Sequence, residues 1–183
     1  MISMRFIILF GTLAIALPFL ISGIASRYGS AVAERFLERP GAVPEELGGG
    51  AILTHEKLYK WATAPATSAD AKGYAHRVLP VDLLYLIFLG GFLGLAASTV
   101  SSSIVWPMSW PAIPVWTWWL LPLTYVVCDV LEDSLIIFLL SWPSFISQIG
   151  LDCLSVLRFL KIYSVGLSMA LVVALCGLSI ILV

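Results

Sequence analysis

Four long apolar runs constrain the fold of this chain more than any other feature of its sequence. A helix needs about 20 residues to cross the hydrocarbon core of a bilayer, which is roughly 30 Å thick. Runs of this order cover residues 6–25, 83–100, 115–142 and 162–183. Backbone groups in lipid must be hydrogen-bonded within the protein, so each run is predicted to be a transmembrane helix. The expected fold is an all-α, four-helix membrane bundle that forms a single domain over residues 1–183.

The composition also indicates that lipid solvates much of the surface. Hydrophobic residues make up 60% of the chain and charged residues 11%, whereas soluble domains contain about 45–50% and about 25%. A water-soluble fold of this composition would expose large apolar patches and aggregate. The net charge of -1 indicates no overall basic surface for nucleic acid. The apolar composition makes lipid the expected partner.

The first apolar run has two interpretations. Arg5 precedes it and small residues follow it, as in a cleaved signal peptide. However, the run is longer than the roughly 7–15 apolar residues of a signal-peptide core. We therefore interpret it as a retained membrane anchor.

The distribution of Lys and Arg predicts the orientation. Seven of these residues lie between the first and second runs, and Arg158 and Lys161 lie between the third and fourth. Because basic residues favour the cytoplasmic side, the first and third connections are expected in the cytoplasm and both termini outside. Tryptophans around the second connection, and Trp142 at the other end of the third run, fit the two interfaces.

The cytoplasmic segment 27–80 is too short and too polar to bury a core of its own. We predict short helices within it: one over 28–39, one that begins after Thr54 and ends at Pro65, and one that begins near Ser68 and ends near Arg77. They are expected to lie at the membrane interface and pack on the bundle. The alternative is that they form a docking surface for a partner.

Small residues recur every four positions in two of the predicted spans. Gly90 and Gly94 form a G-x-x-x-G motif in the second, and Gly166 and Ala170 repeat the spacing in the fourth. Small residues let helix backbones approach closely in lipid. We predict that both faces pack inside the bundle, with homodimer formation as the alternative.

The third run contains the acids Asp129, Glu132 and Asp133, which share one helix face at positions i, i+3 and i+4. An unpaired charge at this depth costs several kcal/mol, so the face should point to the bundle interior, a wet cavity or a partner subunit. Lys161 or Arg158 is expected to form an ion pair with Glu132 or Asp133. Pro122, earlier on the same stripe, predicts a kink because it lacks a backbone donor.

Two interpretations of this acidic face remain open. It is either a structural polar network or a pathway for protons or cations. Asp82, at the mouth of the second span, is either a first-turn acid favoured by the helix dipole or part of the same site. The chain offers no nucleophile–histidine pair, and its two histidines lie outside the apolar runs. We therefore predict no catalytic residue, metal site or cofactor.

The residues that stand out also resemble a group of small four-helix membrane proteins in bacteria. The resemblance rests on Tyr74, on Pro80-Val81-Asp82-Leu83-Leu84-Tyr85, on Leu121-Pro122, on Asp129-x-x-Glu132-Asp133 and on Lys161. That group commonly has D-x-x-E-N in its third span, where this chain has a third acid. The resemblance covers about residues 52–175 and implies the four-helix bundle, but no particular activity. Because that group is bacterial, the resemblance implies that the expected location is a bacterial inner membrane.

These observations favour a non-enzymatic accessory or structural subunit of a larger membrane protein complex, because no soluble domain or catalytic constellation is evident. The alternative is a small transporter or channel that couples to protons or cations through the acidic face, although no inverted repeat is evident. A membrane-embedded lipid enzyme is a third possibility.

Overall fold

The structure, a computed structural model, describes residues 4–28, 54–107 and 113–181, and every regular element in these ranges is helical. The prediction of an all-α fold is therefore confirmed for the described residues. The helix predicted over 28–39 lies outside them. The α-helices are α1 (Met4–Tyr28), α2 (His55–Thr63), α3 (Ser68–Gly73), α4 (Leu79–Ser103), α5 (Leu120–Ser141) and α6 (Gln148–Ile181).

Three helical segments are long and apolar enough to cross a membrane: Met4–Ser26, Ser68–Ser103 and Gln148–Ile181. They agree with the prediction of a membrane protein. The helix α5 is also long, with 22 residues, but it contains the three acids of the third run.

The short helix α3 continues into α4, so that Ser68–Ser103 forms one continuous helix. Between α3 and α4 lies a single π-helical turn, Tyr74–Val78, and the Leu79 amide donates to the Tyr74 carbonyl five residues earlier. Pro80 follows directly; its ring crowds the preceding turn of an α-helix, and a widened turn relieves that crowding. The prediction of a helix that begins near Ser68 is confirmed, but its predicted end near Arg77 is wrong, since the helix continues through the proline.

The fourth long helix begins 14 residues earlier than the apolar run predicts. The helix α6 has 34 residues, which corresponds to a length of about 51 Å. Arg158 and Lys161 thus lie within the helix rather than in the connection before it. Leu151 and Leu154 are buried at helical spacing, so packing extends the helix beyond its most hydrophobic part. The remaining connection, after Ser141, contains a short 3₁₀-helix at Pro143–Phe145.

Two further predictions concern helix boundaries. The prediction for α2 is confirmed, because the helix begins at His55, directly after Thr54, and ends at Thr63. Pro122 is the third residue of α5, which follows a 3₁₀-helix at Val115–Trp119. An amide in the first turn has no partner within the helix to lose, so Pro122 is tolerated there. The basis for the predicted kink, a proline inside a longer α-helix, is therefore absent.

The contacts divide the chain into two compact units. The first comprises Met1–Ala16, Tyr85–Val130 and Leu157–Val183, and the second comprises Leu17–Leu84 and Leu131–Val156. Each unit contains parts of all four long helices.

Helix α4 organises the first unit through three glycines. A Cβ atom at Gly90 would lie 2.2 Å from Val126 Cγ2 of α5, and one at Gly91 would lie 2.5 Å from the Phe10 ring of α1. At Gly94 it would lie 2.4 Å from the Trp119 ring. These separations are shorter than any real carbon–carbon contact, so only glycine permits the neighbours to approach α4 this closely.

The second unit has a compact apolar core around the end of α5. Ile136 is fully buried, and the amphipathic α2 contributes Leu58 and Ala62 to the same cluster. The other side of α2 exposes Glu56 and Lys60. Helix α2 therefore packs by one face on its unit, as predicted. Its location at a membrane interface stays a prediction.

Candidate functional site

The acidic face of α5 is the largest concentration of buried charge among the described residues. Asp129, Glu132 and Asp133 are exposed by only 1%, 2% and 3%. The opposite side of the helix presents Leu123, Val127 and Leu131, each about half exposed. Helix α5 is thus amphipathic, and its three acids point away from its exposed side.

In the first unit, Asp129 forms an ion pair with Lys161 of α6. Asp129 is nearly inaccessible, while the Lys161 side chain is 27% exposed, so its flexible stem carries the ammonium group inward. A cationic partner offsets part of the cost of burying an aspartate this deeply.

The sequence analysis offered Lys161 or Arg158 as the cation and paired it with Glu132 or Asp133. The pair between Lys161 and Asp129 follows from the early start of α6. Lys161 lies 13 residues after the start of α6, and Asp129 lies 12 residues before the end of α5. In two antiparallel helices joined by a short connection, these positions are level with each other. The proposed pairs of Arg158 or Lys161 with Glu132 or Asp133 stay predictions.

Buried hydroxyl groups continue the polar line along α6, and the sequence analysis missed them. The Ser164 hydroxyl donates to the Lys161 carbonyl at 3.0 Å, and the Ser168 hydroxyl donates to the Ser164 carbonyl at 2.7 Å. Both serines are buried. They begin a seam that continues with Leu171 and Leu175 at alternating spacings of four and three, a pattern that identifies the inward face of a helix.

In the second unit, Asp82 and Asp133 lie close together. Their carboxylate oxygens are within 4.8 Å of each other. Asp82 is the fourth residue of α4, but the helix is continuous from Ser68, so the free helix N-terminus that would favour an acid there is absent. Two carboxylates at this separation repel each other, and a proton or a cation held between them would relieve that repulsion.

The two small-residue faces occupy different surroundings. Gly90 and Gly94 lie at close helix contacts, as described above. Gly166 and Ala170 are exposed, and a Cβ atom at Gly166 would meet no atom within 4 Å. The prediction that this face of α6 packs inside the bundle is therefore wrong for the described residues. The inward face of α6 is the one that contains Ser164 and Ser168.

Comparison with protein-family models, curated proteins and solved structures finds no match to this chain. The arguments for function therefore depend on the geometry of the described residues.

Proposed function

We propose that this chain is an integral protein of a bacterial inner membrane with four transmembrane helices, and that α5 is the third of them. In this proposal, the chain is a non-enzymatic accessory or structural subunit of a larger membrane protein complex. In this proposal, the connections between spans one and two and between spans three and four are cytoplasmic. Both termini are outside.

The length and surface of α5 support its role as a span. Its 22 residues correspond to about 33 Å, close to the thickness of the hydrocarbon core. Its outward stripe is apolar, since its acids are buried. Aromatic side chains lie at both ends, with Trp116 exposed by 64% and Trp142 by 55%. Such rings favour the headgroup region of a bilayer.

Labelling of single cysteines tests whether α5 crosses the membrane. In a background without the native cysteines, Ile113→Cys and Ser147→Cys place a thiol before and after α5. We expect a membrane-impermeant maleimide to label Ile113→Cys in spheroplasts, and Ser147→Cys only after lysis. Labelling of both positions from the same side would exclude α5 as a span.

The exposed small-residue face of α6 is the observation that supports the proposal of a subunit in a larger membrane protein complex. Gly166, Ala170 and Ala174 recur every four residues and are exposed. Helices associate in lipid through close backbone contact at small residues, because no hydrophobic effect drives them together. A helix of another subunit is the partner that this surface fits.

Affinity purification in mild detergent tests the subunit proposal. We expect the tagged chain to elute with defined membrane proteins, and the double substitution Gly166→Leu and Ala170→Leu to release them by blocking backbone approach. Gly23→Leu on α1 is the matched control, because a Cβ atom at Gly23 also meets nothing within 4 Å. A chain that elutes alone and monodisperse would contradict the proposal, as would equal losses in both variants.

The second candidate function is coupling to protons or cations, which the approach of Asp82 to Asp133 favours. Buried carboxylates within a membrane commonly mark ion pathways. This candidate predicts flux in liposomes that contain the purified chain, and loss of that flux in Asp82→Asn and Asp133→Asn. Asp70→Asn is the control, since Asp70 is an exposed acid on α3. Absence of flux in the parent protein would eliminate this candidate.

A further inference from the structure

An apolar groove lies in the first unit, where α1, α4 and α5 meet. Its volume is about 370 Å³, and every residue that lines it is apolar. Phe10 of α1, Leu95 of α4 and Val126 of α5 form its walls, and Gly90 leaves α4 without a side chain at its base. The groove is thus a partly enclosed space between three helices of one unit, of a size that suits a small ligand.

We propose that this groove binds one acyl chain of a phospholipid. The inference rests on the proposed membrane insertion of the chain. Water is excluded as the occupant because a dry apolar space offers it no hydrogen-bonding partner. For the same reason the ligand must be a hydrocarbon, since a polar group inside the groove would lose its hydrogen bonds.

The opening of the groove indicates where the ligand enters. Ile87 and Leu123 belong to its lining and remain exposed by 54% and 52%. The groove therefore opens sideways, past two helix surfaces that face the surrounding medium. In a bilayer this medium consists of acyl chains.

The depth of the groove fits the chain of a single leaflet. Its α5 wall extends from Pro122 to Val126, four residues or about 6 Å along the helix, and Trp119 of the preceding 3₁₀-helix also lines the groove. Trp119 lies at the aromatic end of α5, beside the stacked rings of Trp106 and Trp118. One leaflet contributes about 15 Å of hydrocarbon, so a chain whose headgroup lies near these tryptophans reaches the whole groove.

Native mass spectrometry of the delipidated full chain tests this proposal, with dioleoyl phosphatidylcholine and dioleoyl phosphatidylglycerol as separate probes. We expect one phospholipid to bind saturably, with the same affinity for both headgroups, because the groove offers no polar contact. Leu123→Trp should fill the opening and weaken binding, because the indole ring occupies the space that the acyl chain needs. Ile87→Trp, from the opposite wall, should have the same effect.

Leu131→Trp is the matched control, because Leu131 lies on the outward stripe of α5, is 51% exposed and does not line the groove. Its lipid binding should equal that of the parent. Equal binding by all variants, or no saturable binding, would overturn the proposal. A dimer that Leu123→Trp abolishes would make a second copy the occupant and overturn it too. Recovery of the chain in the aqueous fraction would instead refute membrane insertion itself, which separates the two failures.

Discussion

Helices α4 and α6 have the same spacing of small residues but use it differently. Gly90 and Gly94 of α4 are buried beneath side chains of α5 and the preceding 3₁₀-helix, so close that a methyl group would clash. Gly166 and Ala170 of α6 are exposed. The difference teaches that small residues permit close approach without specifying which neighbour approaches. In α6 the opposite face, which contains the buried Ser164, Ser168 and Leu175, is the face that packs inward.

The ion pair on the inward face of α6 provides the largest expected effect. Lys161→Met leaves Asp129 buried without its cation, and we expect a loss of about 3–5 kcal/mol in the free energy of unfolding. Adding Asp129→Asn should restore most of it, because the uncompensated charge is gone. Unfolding in mixed detergent micelles measures both values.

The identity of the acid is tested by a second pair of substitutions. Lys161→Met combined with Glu132→Gln should recover less stability than Lys161→Met combined with Asp129→Asn, because the structure pairs Lys161 with Asp129. Equal recovery with either acid neutralised would show that Lys161 serves the whole acidic face rather than Asp129.

The glycine of α4 should show an intermediate effect. Gly90→Ala places a methyl group against Val126, whose branched side chain has little rotamer freedom in a helix, so we expect a loss of about 1–3 kcal/mol. Gly166→Ala is the control on the open face. It should cost nothing and could add up to about 1 kcal/mol, since alanine favours a helix over glycine.

A second substitution at Val126 tests whether a clash with its side chain causes the loss of stability in Gly90→Ala. Val126→Ala together with Gly90→Ala removes the clash and should be more stable than Gly90→Ala alone, as thermal unfolding in detergent would reveal. If Gly90→Ala and Gly166→Ala behaved alike, the contrast between the two helix faces would be wrong.

The buried hydroxyl groups of α6 should show the smallest effect. Ser168→Ala removes one hydrogen bond to the Ser164 carbonyl, which corresponds to about 0.5–1.5 kcal/mol. Ser179→Ala removes a similar bond, from the Ser179 hydroxyl to the Cys176 carbonyl at 2.8 Å, at a less buried position. The same unfolding assay should show a larger loss for Ser168→Ala. The reverse order would argue against an inward seam through Ser168.

Hydropathy predicted helix existence well and helix limits poorly. The apolar run that begins at residue 162 lies inside a helix that begins at Gln148, because buried leucines at helical spacing extend α6 through its charged residues. Likewise, Pro80 does not separate α3 from α4, since a π-helical turn accommodates its ring. Average hydrophobicity registers neither the early start of α6 nor the continuity through Pro80. The first depends on which face of the helix a residue occupies, and the second depends on the local backbone geometry.

The sequence by itself determined the helical class, three of the candidate membrane spans and the common face of Asp129, Glu132 and Asp133. These follow from local physics, since lipid demands internally bonded backbone and a helix repeats every 3.6 residues. Only the tertiary structure decided that Lys161 pairs with Asp129, that Gly90 is enclosed and that Gly166 is exposed. Those outcomes depend on which helices pack against each other and on how far along their axes the contacting residues lie. Both are determined by contacts between residues that are distant in the chain.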